Sequence, residues 1–428
     1  MDLEDIKELF AEFEIKFVRL AFCDISGREK NIAIMASELE HAIKHGISFD
    51  ASAIKGFLNI DDSDLLLFPD LDTFSVLPWR PSERAVARFY CFITYPDGRP
   101  FEGDGRYLLS QIEKKSSLSG YSFLVGPECE FYLFENDEKG FPTLNPLDEA
   151  GYFDISPLDR GENVRREICF ALEEMGIKPE RSHHEHGPGQ NEIDFRCSSP
   201  LKAADDFMTF KTACKAIAQQ HGLFASFLPK PFENESGNGL HINLSLYEEE
   251  KNLFEKGDPK AFSFMSGIMR RMREVTSFAN PIVSSYERLG QFEAPSSISW
   301  SHHNRSTLVR IPYAQGNDSR MEVRSPDPAA NPYLLISLLL SAGFEGVADS
   351  LKPDKEAEGD MISSNESEHL PATLAEALEE TERSSFVSSV IPEKIIKGYL
   401  EEKKREVEEY EKSGRRHEYL IKRYFRFV

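Results

Sequence analysis

The chain has 428 residues, 40% of them hydrophobic and 29% charged, with a net charge of −23. That length exceeds one ordinary core and predicts a globular protein of two domains. The negative charge argues against nucleic acid as a partner, and no apolar run approaches the ~20 residues that a membrane span needs. An anionic ligand such as a nucleotide must therefore meet a local cluster of arginines or a metal.

The opening stretch, MDLEDIKELF, is acidic and amphipathic, unlike a secretory signal. Its apolar residues Leu3, Ile6, Leu9, Phe10 and Phe13 have helical spacing, and strand-like alternation follows from Ile15 to Cys23. Ser37 and Glu40 have the spacing of a capping box for a short helix that Gly46 would end. Strands are predicted at Leu65–Phe68 and Ala85–Thr94, the latter followed by a Tyr-Pro-Asp-Gly turn. The loop FEGDGR, near Asp104, divides this small unit (residues 1–103) from a larger one (104–428). Helices are predicted there at Tyr107–Lys115, Val164–Met175 and Phe207–Gln220, and the Glu401–Arg416 tract reads as a solvated helix. Cys23, Cys91, Cys129, Cys169, Cys197 and Cys214 are scattered with no CxxC pair, as expected of reduced thiols in a cytoplasm.

Between these helices lie strand-like runs with misplaced polar residues. In GPECEFYLF, Gly126–Phe134, alternation sends Cys129, Phe131 and Leu133 one way and Glu128, Glu130, Tyr132 and Phe134 the other. Two carboxylates side by side on an otherwise apolar strand need a neutralising partner. Four further segments share the oddity. In HHEHGPGQNEIDF, Glu185 and Glu192 flank a Gly-Pro-Gly bend that lets the chain approach a ligand. SGNGLHINLSL leads a glycine pair into a strand bearing His241, NRSTLVRIP carries Arg305 and Arg310, and SRMEVRSPDPAANPY alternates Arg320, Glu322 and Arg324.

Each segment has a plainer reading: His241 as a satisfied core histidine, the Arg-Glu-Arg alternation as a solvent face, the glutamates as partners of arginines. Together they form an oxygen-rich donor set with one imidazole, which suits Mg²⁺ or Mn²⁺, beside arginines that suit phosphate. Divalent metal plus arginine describes phosphoryl transfer, although a metallohydrolase fits the carboxylates equally well. Neither the Walker phosphate loop nor the kinase motif set is present.

The ordered series FDASAIKGF, GPECEF, HHEHGPGQNE, GNGLH, FEAP, NRS…RIP and EVRSPDPAANPY resembles glutamine synthetase of type I over nearly the whole chain. The resemblance implies an α+β fold: a β-grasp-like N-terminal domain, then a catalytic domain on a curved antiparallel sheet flanked by helices. It implies two or three Mg²⁺ or Mn²⁺ ions per site, one held by Glu130, Glu185 and Glu192 and another, carrying ATP, by Glu128, His241 and Glu322. Glutamate would be bound by Gly237, His241, Arg288, Arg305 and Arg324, and nucleotide and phosphate by Arg305, Arg310, Arg320, Asn243 and Ser245. Asp50 and Glu293 would bind ammonium and take its proton, after ATP has converted the γ-carboxylate of glutamate into an acyl phosphate.

The sequence departs from the family at several points. RLGQFE, Arg288–Glu293, replaces a loop one residue longer that contains proline, Asn243 stands for a second histidine, and Ser236 for an asparagine. His302–His303 is unusual, and MISSNESEHL, Met361–Leu370, lacks the tyrosine that some bacterial members adenylylate. The altered loop keeps a second acceptor class open, small organic amines. A non-catalytic structural relative should have lost metal ligands, and none is lost. The resemblance also implies sites shared between subunits in hexameric rings, stacked to a dodecamer. Leu65–Phe68, too apolar for an open edge, is expected to be covered by a neighbour's sheet, with Asp50 reaching the adjacent chain.

Overall fold

Asp2 opens the first helix, α1 (Leu3–Glu12), by accepting the amides of Glu4 and Asp5, and only one face of that helix is buried, through Ile6. The computed structural model describes residues 1–54, 56–57, 63–362 and 367–428. Lys55 of FDASAIKGF and residues 363–366 of MISSNESEHL thus lie outside the described residues.

After α1 come β1 (Phe17–Cys23), β2 (Glu29–Met35), α2 (Leu39–His45), β3 (Ile47–Asp50), β4 (Asp64–Pro69), β5 (Ser75–Val76) and β6 (Val86–Thr94). The sheet order is β2-β1-β6-β4-β3, with β5 on β6. Only β1–β6 is parallel. Two expectations are corrected here. Leu65–Phe68 is not an edge: β4 lies between β6 and β3, so its apolar side chains are covered within the chain, and the edge is β3, which ends in Asp50. Nor does Ser37 cap α2. A 3-10 turn, Ala36–Glu38, takes Ser37 into the helical entry, and no side chain caps Glu38. Gly46 does end that helix, in the left-handed region at φ 71°.

The larger region continues with α3 (Gly105–Leu118), β7 (Tyr121–Asn136), β8 (Pro142–Pro146), α4 (Glu162–Glu174), β9 (Pro179–His184), β10 (Gln190–Phe195), α5 (Pro200–Gln220), β11 (Leu223–Ser226), β12 (Leu240–Glu248) and β13 (Lys251–Asn252). Then come α6 (Pro259–Ala279), α7 (Val283–Tyr286), β14 (Trp300–His302), β15 (Val309–Ile311), β16 (Met321–Val323) and α8 (Pro332–Ala348). The chain closes with α9 (Leu374–Arg383), α10 (Ser385–Val390), α11 (Glu393–Lys412) and α12 (His417–Tyr424). The large, curved sheet runs β14-β15-β16-β12-β7-β10-β9, antiparallel except at β14–β15. One face of β7 is apolar and packs Cys129, Phe131 and Leu133 into the core. Among the described residues no helix is long and apolar enough to cross a membrane.

The two regions are riveted by buried charge. Arg106, at the start of α3, forks onto Asp205 of α5 and reaches Asp70 of the N-terminal sheet at 2.8 Å. Asn331 caps α8 and donates to the carbonyl of Asp24, so part of the SPDPAANPY motif is structural. The Glu401–Arg416 tract is less solvated than its composition suggests. Lys403 and Glu406 are buried as a pair, and Glu406 accepts the hydroxyl of Tyr424 from α12. At the head of α12, His417 lies 2.9 Å from the Glu287 carboxylate and 3.1 Å from the Pro231 carbonyl. Both partners accept, so both ring nitrogens carry hydrogen.

Candidate active site

Sheet register turns the scattered acidic residues into rows. Glu130 of β7 stands opposite Glu192 of β10, which stands opposite His183 of β9. Glu128 is flanked by Asp194 on one side and His241 on the other. Asn243 faces Glu322, which faces Arg310. Each strand alternates, so Ile193, Ile242, Leu244 and Val323 go to the core while the charged set lines one cavity of about 860 Å³.

Three groups of ligand atoms converge there: Glu128–His241–Glu322, His183–Glu185–Glu192 and Glu128–Glu192–Asp194, with the atoms of each group within 4.8 Å of one another. The first group coincides with one expected set. In the second, His183 stands where Glu130 was expected. The Glu130 carboxylate instead takes the amide of Gly239 at 2.9 Å and the side chain of Gln190 at 3.1 Å. His183 and Asp194 were missed by sequence reasoning. The signal was the same two-residue period, since His183 precedes Glu185, and Asp194 follows Glu192, by one strand repeat. His184 is wholly buried between Asp148 and the Glu185 carbonyl, which fixes the backbone at Glu185.

The arginines are distributed unevenly. Arg324 and Arg310 hold Glu322 at 2.6 and 2.9 Å, and Arg320 donates to Asn243, which donates to Glu128. Burial would raise both carboxyls. The neighbouring His241, with Asn243 and Arg320, nevertheless holds Glu128 at about 2, and Arg324 with His241 holds Glu322 below the usual range. On the other side burial wins. Glu130 is pushed up by burial and by Glu185, Glu192 well up by burial, Asp194 and Glu130, and Asp194 up by burial and Glu128.

Gly237 and Glu293 line the cavity, as do Arg288, Arg305, Arg310, Arg320 and Arg324. A Cβ on Gly237 would sit 2.4 Å from the Pro229 carbonyl and 2.9 Å from Arg288, so only glycine lets these segments meet. Glu293 approaches Arg324 at 3.7 Å. Asn243 lies just beneath the cavity, while Ser245 is buried with its hydroxyl on the Ser319 carbonyl. Asp50 is exposed at the end of β3, accepts from Ser52 and does not reach the cavity of its own chain.

The family description "Glutamine synthetase, beta-Grasp domain" matches residues 14–96, and "Glutamine synthetase, catalytic domain" matches residues 102–424. The chain belongs to the glutamine synthetase family. Glutamine synthetase of Clostridium saccharobutylicum is 43% identical over 95% of both chains. That of Methanosarcina mazei is 44% identical over 95% of this chain and 94% of its own. A solved GmaS chain in complex with ADP has a TM-score of 0.87 at 30% identity, covering 95% of this chain and 96% of that one. Plasmodium falciparum glutamine synthetase shares the fold, with a TM-score of 0.86 at 23% identity over 96% and 97% of the two chains. The protein is thus a C–N bond-forming ligase of a family that uses ATP and divalent metals.

The residues present fit such metals. The donors are carboxylates with one or two imidazoles, a hard-cation set. Glu130, Glu192 and Asp194 crowd together so that burial and their acidic neighbours raise all three despite Arg181 on Asp194, a crowding that a bound cation would relieve.

Proposed function

We propose that this glutamine synthetase family member is a glutamate–ammonia ligase that makes glutamine, ADP and phosphate through a γ-glutamyl phosphate. The observation that supports it is the convergence of Glu128, Glu130, Glu185, Glu192, His241 and Glu322 with six arginines, Arg181 among them, on one cavity. Divalent cations held by those six residues neutralise phosphate charge when bound. Arg288 and Arg324, both buried, present fixed guanidinium edges to the carboxylates of glutamate. Arg305, Arg310 and Arg320 face the transferred phosphate and nucleotide, with Asn243 and Ser245 at the nucleotide edge. Glu293, carried on the loop from Arg288, accepts a proton from ammonium and leaves free ammonia to attack the acyl phosphate. Asp50 completes the ammonium pocket from an adjacent subunit of a hexameric ring, and rings stack to a dodecamer. Its place on an exposed edge strand, outside its own cavity, supports this sharing. The residue 104 boundary separates the part that lends Asp50 from the part that binds metal, in a cytoplasmic enzyme.

One observation favours a second acceptor class. Tyr152 stacks on Phe153 at 3.9 Å and on His186 at 4.4 Å at the cavity mouth, an aromatic surface of the kind that takes alkylammonium groups. Phosphate release from ATP and glutamate, compared across ammonium, methylamine, ethanolamine and putrescine, decides between them. Ammonium is expected to give the highest kcat/KM, and a higher value for any organic amine would overturn the first reading. Mixed Asp50→Ala and Glu130→Ala chains should regain activity if sites are shared. Co-assembled mixtures with no recovery, or a fully active monomer, would refute the sharing.

A further inference from the structure

The loop that carries Glu293 is a tight reversal. The amide of Gly290 donates to the Ala294 carbonyl at 2.9 Å, the amide of Ala294 to Gln291 at 3.0 Å, and both Gly290 and Phe292 have left-handed backbone, at φ 76° and 52°. That conformation is unfavourable for phenylalanine, so something outside the loop must hold it. The base is rigid, because Arg288 donates to the Ser325 carbonyl and His417 ties Glu287 to Pro231. The tip touches two anchors. Glu293 meets Arg324 inside the cavity, and the Phe292 ring, itself 55% exposed, lies over the ammonium of Lys230 at 4.7 Å.

Lys230 is 1% exposed. Its ammonium donates to the Glu235 carbonyl at 2.6 Å, and among the described residues no carboxylate lies within ion-pair distance. A buried cation with one carbonyl partner gains more from a ring face than an exposed one would. The same loop is a thin partition. Phe292 and Glu293, with Arg305, line both the main cavity and a second one of about 530 Å³ on the other side.

We propose that Lys230 is a positioning residue, whose ammonium holds the Phe292 ring and so keeps Glu293 as a wall between the two cavities, directing the activated carboxyl to the amine rather than to water. The inference rests on the acyl-phosphate reading above. Without the wall, water oxygen bonds to the γ-carbonyl carbon, the bond from that carbon to the phosphate oxygen breaks, and phosphate leaves with the electron pair. A water proton passes to solvent, so ATP is consumed and glutamate returns unchanged.

The test counts phosphate released per glutamine formed, with KM for ammonium, glutamate and ATP, in the intact enzyme. Wild type should release close to one phosphate per glutamine. Phe292→Leu, at an exposed side chain, should raise that ratio and the KM for ammonium by about 2- to 30-fold, the range a desolvated cation–ring contact covers, with KM for ATP unchanged. Phe292→Tyr should keep wild-type coupling. Lys230→Met should reproduce the leak, and the double variant should be no worse than either single change. A Phe292→Leu enzyme as tightly coupled as wild type, or additive losses in the double variant, would overturn the inference. A wild type that releases no phosphate on adding glutamate would instead overturn the acyl-phosphate reading, and this inference with it.

Discussion

The two ends of the carboxylate face are built on the same sheet, yet they solve the problem of buried charge differently. Around Glu322 the protein brings its own cations, Arg324 and Arg310, in contact, and the carboxyl is held below the usual range though only 2% exposed. Around Glu192 the neighbours are Asp194 and Glu130, with the His183 ring 3.8 Å away and, on Asp194, a largely solvent-facing Arg181. One end carries its own compensating cations, and the other is left incomplete. Burial alone therefore does not fix the charge of a carboxylate. The balance of partners does.

The sharpest way to break this contrast is at the incomplete end. Glu130→Ala should lower kcat by more than the roughly 10- to 100-fold typical of changes behind a metal ligand, as measured by ATP- and glutamate-dependent phosphate release. Near-normal turnover would mean the carboxylate only braces Gly239 and Gln190. At the complete end, Arg324→Met strands Glu322 with fewer partners and should cost about 3 kcal/mol in urea unfolding without any metal present. An unchanged midpoint would show that Arg310 alone suffices. Glu192→Gln should act with opposite signs in two conditions: a higher Tm than wild type in chelator, and a smaller gain in Tm on adding Mg²⁺. Because burial and its neighbours raise the Glu192 carboxyl, the folded state binds that proton more tightly than the unfolded one. Metal-free stability should therefore fall as pH rises through the raised value, and less steeply in Glu192→Gln.

The smallest effect lies outside both ends and sharpens the comparison by correction. Glu287, outweighing partial burial, raises the His417 imidazole above its ordinary value. A raised base contributes its full stability below the unfolded value of about 6.5 and loses it as pH rises through the folded one. His417→Gln should cost about 1 kcal/mol at acidic pH and little once wild type has itself lost the proton. A pH-independent loss would mean packing rather than charge.

The ligand face was legible because alternation survives in any strand: Glu128 with Glu130, and Glu322 between Arg320 and Arg324, announce themselves by period. So was the β-grasp-plus-catalytic fold, through ordered motifs. What local pattern does not carry is strand order. β6 inserts between β1 and β4, so the apolar Leu65–Phe68 run was read as an edge when it is interior. The Ser37 cap failed for a related reason, since a 3-10 turn one residue earlier satisfies the spacing but not the geometry. His183 and Asp194 obey the same two-residue period as Glu185 and Glu192, but a histidine beside His184 and an aspartate among core residues carry no local mark of their own.

The row-by-row register across β9, β10, β7, β12 and β16 carries one more consequence, for how such a chain can change over time. Side chains on a strand alternate with a period of two, so losing one residue between Gly126 and Glu130 would swing every later residue of β7 to the opposite face. The carboxylate of Glu130 would enter the core space of Cys129, and the ring of Phe131 would enter the cavity. Substitutions in this strand are graded in effect, whereas a single deletion there is all-or-none. The turn between β7 and β8, where Asp137 closes onto Phe141 and Gly140 is left-handed, carries no such count and can lengthen or shorten freely. Length variation should accordingly collect at that turn and be absent from the strand that feeds it.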